Sequence, residues 1–421
     1  MKPFDIAGCL TRMKIDQWKS PEELESIQAQ KLKELIAYAS EFVPYYRKRL
    51  DGKRINGLED LPLIDPLDKT TVRDENPSFI SSRYDQALLV KGSTSGSSGI
   101  QVPLFTSAAE SAYGVAFECH HMTEVGVRPF DIQARITHYK SAPNLLQKLG
   151  FFRSEYLSVQ DSEAELLKRL KTLRPDVLCA YPSILSTLSR INGLGEARLA
   201  LRHIFSGGEV LQQQARESIS RSFSCRLFDR YGSMETSWIA WECEKGSMHL
   251  QSDFAIAEIV DSRGDPAKPG EIGEIVVTPL WGRAMPLIRY RLGDRVAFGG
   301  KCRCGRGLPV LRSIEGRSDD FIVLPSGRLR SARSINLMDD ITGMLNYQIM
   351  QERPDLFVFR FVPDDRGLTQ EMRDEVVRRI RRGCLDEQVA VEFVSVDSIQ
   401  KGRTGKIATV VSKVKPDIAI C

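Results

Sequence analysis

The sequence predicts an α/β protein that ends in a small α+β unit. Three observations carry this. Stretches with helical apolar spacing alternate with short apolar runs up to about Asp253, which suits α/β units. Beyond that point the runs become β-like, with Gly and Pro turns between them. The tail then reads strand, strand, helix, strand. With 421 residues the chain is also too long for one ordinary core, so at least two domains are expected.

The elements follow in order. Ser20-Pro21-Glu22-Glu23 starts a helix: the serine can cap, proline suits the first turn, and the acids favour the positive end of the dipole. Leu24, Ile27, Leu32, Leu35, Ile36 and Ala39 then recur at helical spacing. Ser162 with Glu165 makes a second capping signal before Leu166, Leu167 and Leu170. Asp176 to Ala180 reads as a buried strand, and Ile204-Phe205 as another that runs into Ser206-Gly207-Gly208. Glu274 to Thr278 and Val323-Leu324 are β-like. In the tail, strands are expected at Gln348–Met350, Leu356–Val362 and Val389–Val396. The helix Thr369–Arg382 between the last two has its apolar face on Met372, Val376, Val377 and Ile380, and Gly383 ends it. A boundary between Gly316 and Asp320 separates residues 1–316 from residues 317–421.

Composition narrows the function class. A hydrophobic content of 42% and a charged content of 27% fit a soluble globular protein. The net charge of +4 gives no reason to expect nucleic acid or a membrane surface as partner. No stretch approaches the apolar length of a membrane helix, and Asp5, Arg12, Lys14, Asp16 and Lys19 lie within residues 1–20, unlike a signal peptide, so a cytoplasmic location is expected. Nine cysteines with no secretion signal argue against a disulfide framework. G-x-S-x-G is absent and no Ser-His-Asp set stands out, which disfavours a hydrolase. His120, His121 and His138 read as packing or substrate contacts.

Gly92 to Gly99 holds three glycines among serines and a threonine, with apolar runs on either side. Such a segment lets backbone N–H groups converge on an anion, though a flexible surface linker has the same composition. Neither the G-x-x-x-x-G-K-[ST] nor the G-x-G-x-x-G pattern is present. Further along come Ser206-Gly207-Gly208-Glu209, Tyr231-Gly232-Ser233-Met234-Glu235-Thr236 and the run Pro286 to Asp294. Gly316-Arg317-Ser318-Asp319-Asp320 and Lys401-Gly402-Arg403-Thr404-Gly405-Lys406 complete the series.

In this order and at these separations the segments resemble the core motifs of the adenylate-forming superfamily, in particular its phenylacetate-CoA ligase and CapK-like branch. The resemblance covers roughly residues 20–415. It implies a large N-terminal adenylate-forming domain of mixed sheets and helices, and a small mobile C-terminal α+β domain with its hinge at Asp319. Ser93, Thr94, Ser95, Gly96, Ser97, Ser98 and Gly99 would form the phosphate loop. Gly207, Gly208 and Glu209 would line the adenine, and Tyr231 in the Tyr231-Gly232 turn would stack near the adenine or the substrate. Glu235 would hold Mg²⁺, Asp294 would accept from the ribose hydroxyls, and Arg317 would reach ribose or phosphate. Lys406, on the small domain, would bridge carboxylate and α-phosphate as the catalytic lysine.

Cys302-Arg303-Cys304 is a tight pair, and Cys243 and His249 lie upstream. Three thiolates and an imidazole suit a closed, structural Zn²⁺ site, while spacing alone leaves two unrelated cysteine pairs equally open. The phenylacetate-CoA ligase branch is similar here too, and zinc is therefore expected.

The implied reaction is ATP-dependent activation of an aryl or small carboxylic acid to an acyl-adenylate, with release of pyrophosphate and transfer to CoA. The alternative acceptor is an amine, a hydroxyl or a carrier-protein thiol, as suits a CapK-like protein. Ile100-Gln101, where the family's phosphate loop usually carries a lysine, points to that subgroup. A homodimer is left open.

Overall fold

In the computed structural model the described residues are 6–93, 102–137, 145–159, 161–192, 199–261, 264–268, 270–317, 321–327, 329–332, 335, 338, 341–400 and 408–414. The chain forms two compact units: residues 1–127 with 229–314, and residues 128–228 with 315–421.

The first unit opens with two helices, Ile6–Asp16 and Pro21–Phe42. The second starts at the expected capping box: the Ser20 hydroxyl accepts from Glu23 N–H, and the Glu23 carboxylate accepts from Ser20 N–H. Leu24, Leu32, Leu35, Ile36 and Ala39 are buried, as their spacing predicts. The strands Ala255–Val260, Gly273–Pro279 and Tyr290–Phe298 make an antiparallel run. Arg226–Ser233 and Ser237–Glu242 form a hairpin, and Met248–Leu250 pairs with its second arm. Val310–Arg317 joins Met248–Leu250 through Val310↔His249 and Leu311↔Met248. A separate two-stranded ribbon pairs Val90–Ser93 with Pro103–Thr106. The segments that flank the Gly/Ser stretch therefore pair with each other. Helix Ala108–Glu124 starts at a second capping box, Ser107 with Glu110.

The second unit contains the α/β part. Gln133–Thr137 pairs in parallel with Ser154–Ser158 on one side and Val177–Cys179 on the other, and Val177–Cys179 pairs in parallel with His203–Gly207. The helices Glu163–Leu173, Pro182–Asn192 and Gln213–Phe223 share one apolar core with these strands. Parallel strands need crossovers, and the helices supply them. Ser162 caps the first of these helices by accepting from Glu165 N–H. The C-terminal α+β module is a four-stranded sheet in the order Ala390–Ser395, Leu356–Pro363, Met344–Arg353, Val410–Ser412. Helix Gln370–Gly383 packs Val376 and Ile380 into its core. Arg190, from helix Pro182–Asn192, donates to the Met344 carbonyl at 3.3 Å and lies over the Tyr347 ring.

No helix among the described residues is long and apolar enough to cross a membrane.

Candidate active site

Two carboxylates of the first unit are set by tyrosine hydroxyls. Tyr231 lies on the hairpin strand Arg226–Ser233, with its ring buried, and its hydroxyl donates to Asp294 Oδ2 at 2.8 Å. Asp294 reaches that position because strand Tyr290–Phe298 bulges: Glu274 faces Arg295 while Val276 faces Arg291, which leaves Leu292, Gly293 and Asp294 outside the ladder. Gly293 takes φ 77°, which glycine adopts without strain. A bulge of this kind re-aims a side chain, and one oxygen of Asp294 has Tyr231 as its donor.

Glu235 sits in the turn that joins Ser233 to Ser237. The Ser233 hydroxyl accepts from the N–H groups of Glu235 and Thr236, each at 3.2 Å, and so shapes the turn from within. Gly232 is obligatory, since a Cβ there would stand 2.2 Å from the Ser237 carbonyl oxygen. The Tyr290 hydroxyl donates to Glu235 Oε1 at 3.0 Å, from a ring that is fully buried. The ribbon strand Val90–Ser93 lies against this turn: a Cβ at Gly92 would be 3.8 Å from the Met234 methyl. The stem of the expected phosphate loop and the turn bearing Glu235 are thus neighbours.

Arg289 supports Tyr290, and it carried no role in the sequence reading. Its backbone has φ 56° and its guanidinium is buried. It pairs with Glu258 through two hydrogen bonds, 3.0 and 2.9 Å, and donates to the Ile64 carbonyl. Burial raises the Glu258 pKa, and Arg289 opposes that shift. Burying such a pair is costly unless every donor and acceptor is met, and here the pair pins the strand that delivers Tyr290 and Asp294. The Pro286 to Asp294 motif held a signal for this in its two arginines and tyrosine; only contacts tell which one is buried.

In the second unit, Gly207 ends its strand and Gly208 takes φ 79°. The Glu209 carboxylate accepts from Ser183 N–H at 3.0 Å and from the Ser183 hydroxyl at 3.1 Å. It therefore caps helix Pro182–Asn192, and Gly207-Gly208 makes the strand-to-loop turn at the carboxyl end of a parallel sheet. Ligands of α/β sheets bind at such ends. Ser93 ends its ribbon strand, and Arg317 ends strand Val310–Arg317. Thr94, Ser95, Gly96, Ser97, Ser98, Gly99, Asp319 and Lys406 lie outside the described residues.

Cys243, His249, Cys302 and Cys304 do meet. Their four ligand atoms lie within 4.8 Å of one another. Cys243 Sγ is 3.7 Å from Cys302 Sγ, and Cys304 Sγ is 3.3 Å from His249 Nε2. Two thiolates about 2.3 Å from one tetrahedral ion would stand about 3.8 Å apart, so the spacing suits ligation. His249 Nδ1 lies 3.2 Å from the Leu308 carbonyl, which leaves Nε2 turned to the sulfurs. Burial lowers the His249 pKa and keeps the ring neutral, as a ligand must be. Burial also pushes the Cys243 thiol up to about 12, a shift that a bound cation would reverse. Cys304 N–H, at 3.4 Å from Cys302 Sγ, and Lys245 N–H, at 3.3 Å from Cys243 Sγ, favour the thiolate forms. His120 and His121 pack around Trp241 next to this group, with ring centroids 5.2 Å from the indole.

The family model described as AMP-binding enzyme matches residues 148–279. A phenylacetate-coenzyme A ligase of Thermus thermophilus is 26% identical over 387 residues, covering 87% of this chain and 86% of its own. Both matches make the chain similar to adenylate-forming enzymes. Protein CapK of Staphylococcus aureus is 22% identical over 333 residues, 73% of this chain and 71% of that protein. Among solved structures, 2-hydroxyisobutyryl-CoA ligase in its postadenylation state, in complex with 2-HIB-AMP, shares the fold at a TM-score of 0.81. The identity is 19%, with 96% of this chain and 92% of that one covered. The matched residues 148–279 include Gly207 to Glu209 and Tyr231 to Glu235, and stop before Asp294.

Proposed function

We propose that the protein is an AMP-forming acid–thiol ligase. It activates an aryl or small carboxylic acid with ATP, releases pyrophosphate, and passes the acyl group from the adenylate to CoA. The observation that supports this most is the pair of oriented carboxylates, Asp294 under Tyr231 and Glu235 under Tyr290, on the segments where the superfamily binds nucleotide. Asp294 accepts from the ribose hydroxyls through the oxygen turned away from Tyr231. Glu235 is the ligand for the Mg²⁺ that accompanies ATP and supplies charge on its phosphates. The segment Ser93 to Gly99 gives N–H and hydroxyl donors to the phosphates, Gly207-Gly208 presents flat backbone to the adenine, and Arg317 reaches ribose or phosphate. Lys406 brings the carboxylate and α-phosphate oxygens together. Asp319 is the hinge about which residues 317–421 turn between the two half-reactions. Two anions have to be held in line, so positioning and electrostatic stabilisation do most of the work. The Cys243, His249, Cys302 and Cys304 set holds a structural Zn²⁺, with no position left for substrate.

The CapK likeness, together with Ile100-Gln101, favours a second reading in which the acceptor is an amine, a hydroxyl or a carrier-protein thiol. A pyrophosphate-release assay with a panel of aryl and short-chain acids tests the first step, and mass detection of an acyl-CoA tests the second. Pyrophosphate release with any acid, followed by a thioester, is the expected result. Release without a thioester would move the assignment to the second reading, and no release with any acid would overturn both.

A further inference from the structure

One residue joins the metal group to the N-terminal helix. Arg306 lies two positions after Cys304, and its side chain is only 3% exposed. Nε donates to Gln17 Oε1 at 2.6 Å, Nη1 to Glu244 at 2.9 Å and Nη2 to Glu124 at 2.9 Å. Its guanidinium carbon is 4.7 Å from the centre of the Trp18 ring and 5.1 Å from that of Trp241. Both faces and three donors are therefore in use. The backbone makes the same connection. Gly307 N–H donates to the Gln17 carbonyl at 3.1 Å, and a Cβ on Gly307 would stand 1.8 Å from the Lys19 carbonyl oxygen. The knuckle that follows Cys302 thus lies flat on the turn 17–19, directly after helix Ile6–Asp16.

Arg306 gives its charge to Glu124 and Glu244, and the same fork reaches Gln17, so one side chain joins three separate segments at the knuckle. A lysine could supply the charge but not the planar fork that reaches Gln17, Glu244 and Glu124 at once.

We propose that Arg306 is a positioning residue beside the metal centre: it fastens the turn 17–19 to the knuckle that carries Cys302 and Cys304, so that metal occupancy and docking of helix Ile6–Asp16 are linked. This rests on the Zn²⁺ reading above and goes beyond it by assigning the site a task.

The test uses the full-length protein. Metal content is measured first. Amide exchange of residues 6–19 is then followed by mass spectrometry with Zn²⁺ bound and after chelation, with the C-terminal sheet as internal reference. Stripping the metal should speed exchange in residues 6–19 at least tenfold and leave the C-terminal sheet unchanged. Arg306→Met should bind Zn²⁺ about 10- to 100-fold more weakly and exchange fast in residues 6–19 even at saturating Zn²⁺. Gln17→Leu covers the case in which Arg306→Met does not fold: it should loosen residues 6–19 with Zn²⁺ affinity unchanged. Slow exchange of residues 6–19 in stripped wild type or in Gln17→Leu would overturn the link. Wild-type Zn²⁺ affinity in Arg306→Met would overturn the role of Arg306 beside the metal centre. Absence of metal from wild type would overturn the Zn²⁺ reading itself.

Discussion

His120 is a buried imidazole whose ring nitrogens have no hydrogen-bond partner among the described residues, set edge-on to Trp241. Burial pushes its pKa down to about 4. At neutral pH it is uncharged in both folded and unfolded states and contributes nothing to pH dependence. As pH falls through the ordinary histidine range the unfolded chain takes up a proton first, so native stability is lost between about pH 6.5 and 4. The loss is on the order of 3 kcal/mol in full. His120→Leu should therefore unfold with a shallower pH dependence than wild type in that window, read from denaturation midpoints at a series of pH values. Parallel curves for the two proteins would contradict the burial argument. No sequence pattern distinguishes this histidine from a substrate contact. Glu124 stands one turn further along the same helix, but Trp241 comes from elsewhere in the chain, and its proximity follows only from packing.

At the scale of elements, the hairpin that carries Tyr231 and Glu235 depends on one close approach. A Cβ at Gly232 would meet Ser237 O at 2.2 Å and Trp238 Cα at 2.7 Å, both backbone atoms that cannot swing aside. Gly232→Ala should cost about 2 kcal/mol, seen as a lower denaturation midpoint, with raised KM for ATP because the Glu235 turn is displaced. Gly114→Ala is the matched control. That glycine lies inside helix Ala108–Glu124, and its Cβ would be 3.4 Å from Ser237 Oγ, so stability should stay within about 1 kcal/mol of wild type. Two helix starts were legible in the sequence, at Ser20 and Ser162, because capping is local chemistry, and the structure adds a third at Ser107. The bulge that turns out Asp294 was not legible, because a bulge is a mismatch between two strands and neither strand carries it alone.

At the scale of the whole molecule, the proposed reaction draws on residues far apart in sequence. Lys406→Ala should lower pyrophosphate release by about 10²–10³-fold, as loss of one positioned donor does, with the far-ultraviolet circular dichroism and denaturation midpoint unchanged. Wild-type release in that variant would exclude the lysine from adenylation. The order of the motifs pointed to the superfamily before any geometry was known. A glycine turn, a Tyr-Gly turn with a glutamate and an Arg-Leu-Gly-Asp run each keep local backbone chemistry that survives divergence. The acid pocket left no such trace, because its lining depends on which side chains several separate segments present together.

By itself, the sequence determined the α/β and α+β parts, the helix caps, the candidate nucleotide residues and the four candidate metal ligands, since periodicity, turn chemistry and donor type are properties of short segments. Only the tertiary structure decided that Tyr231 holds Asp294, that Tyr290 holds Glu235, that Arg289 is buried against Glu258, and that Arg306 ties the cysteine knuckle to Gln17. Each of these is a contact between strands, turns or helices that are separate in the chain. The physical reason is that a polar group's role is set by which partner shares its burial, and burial is a property of the folded molecule.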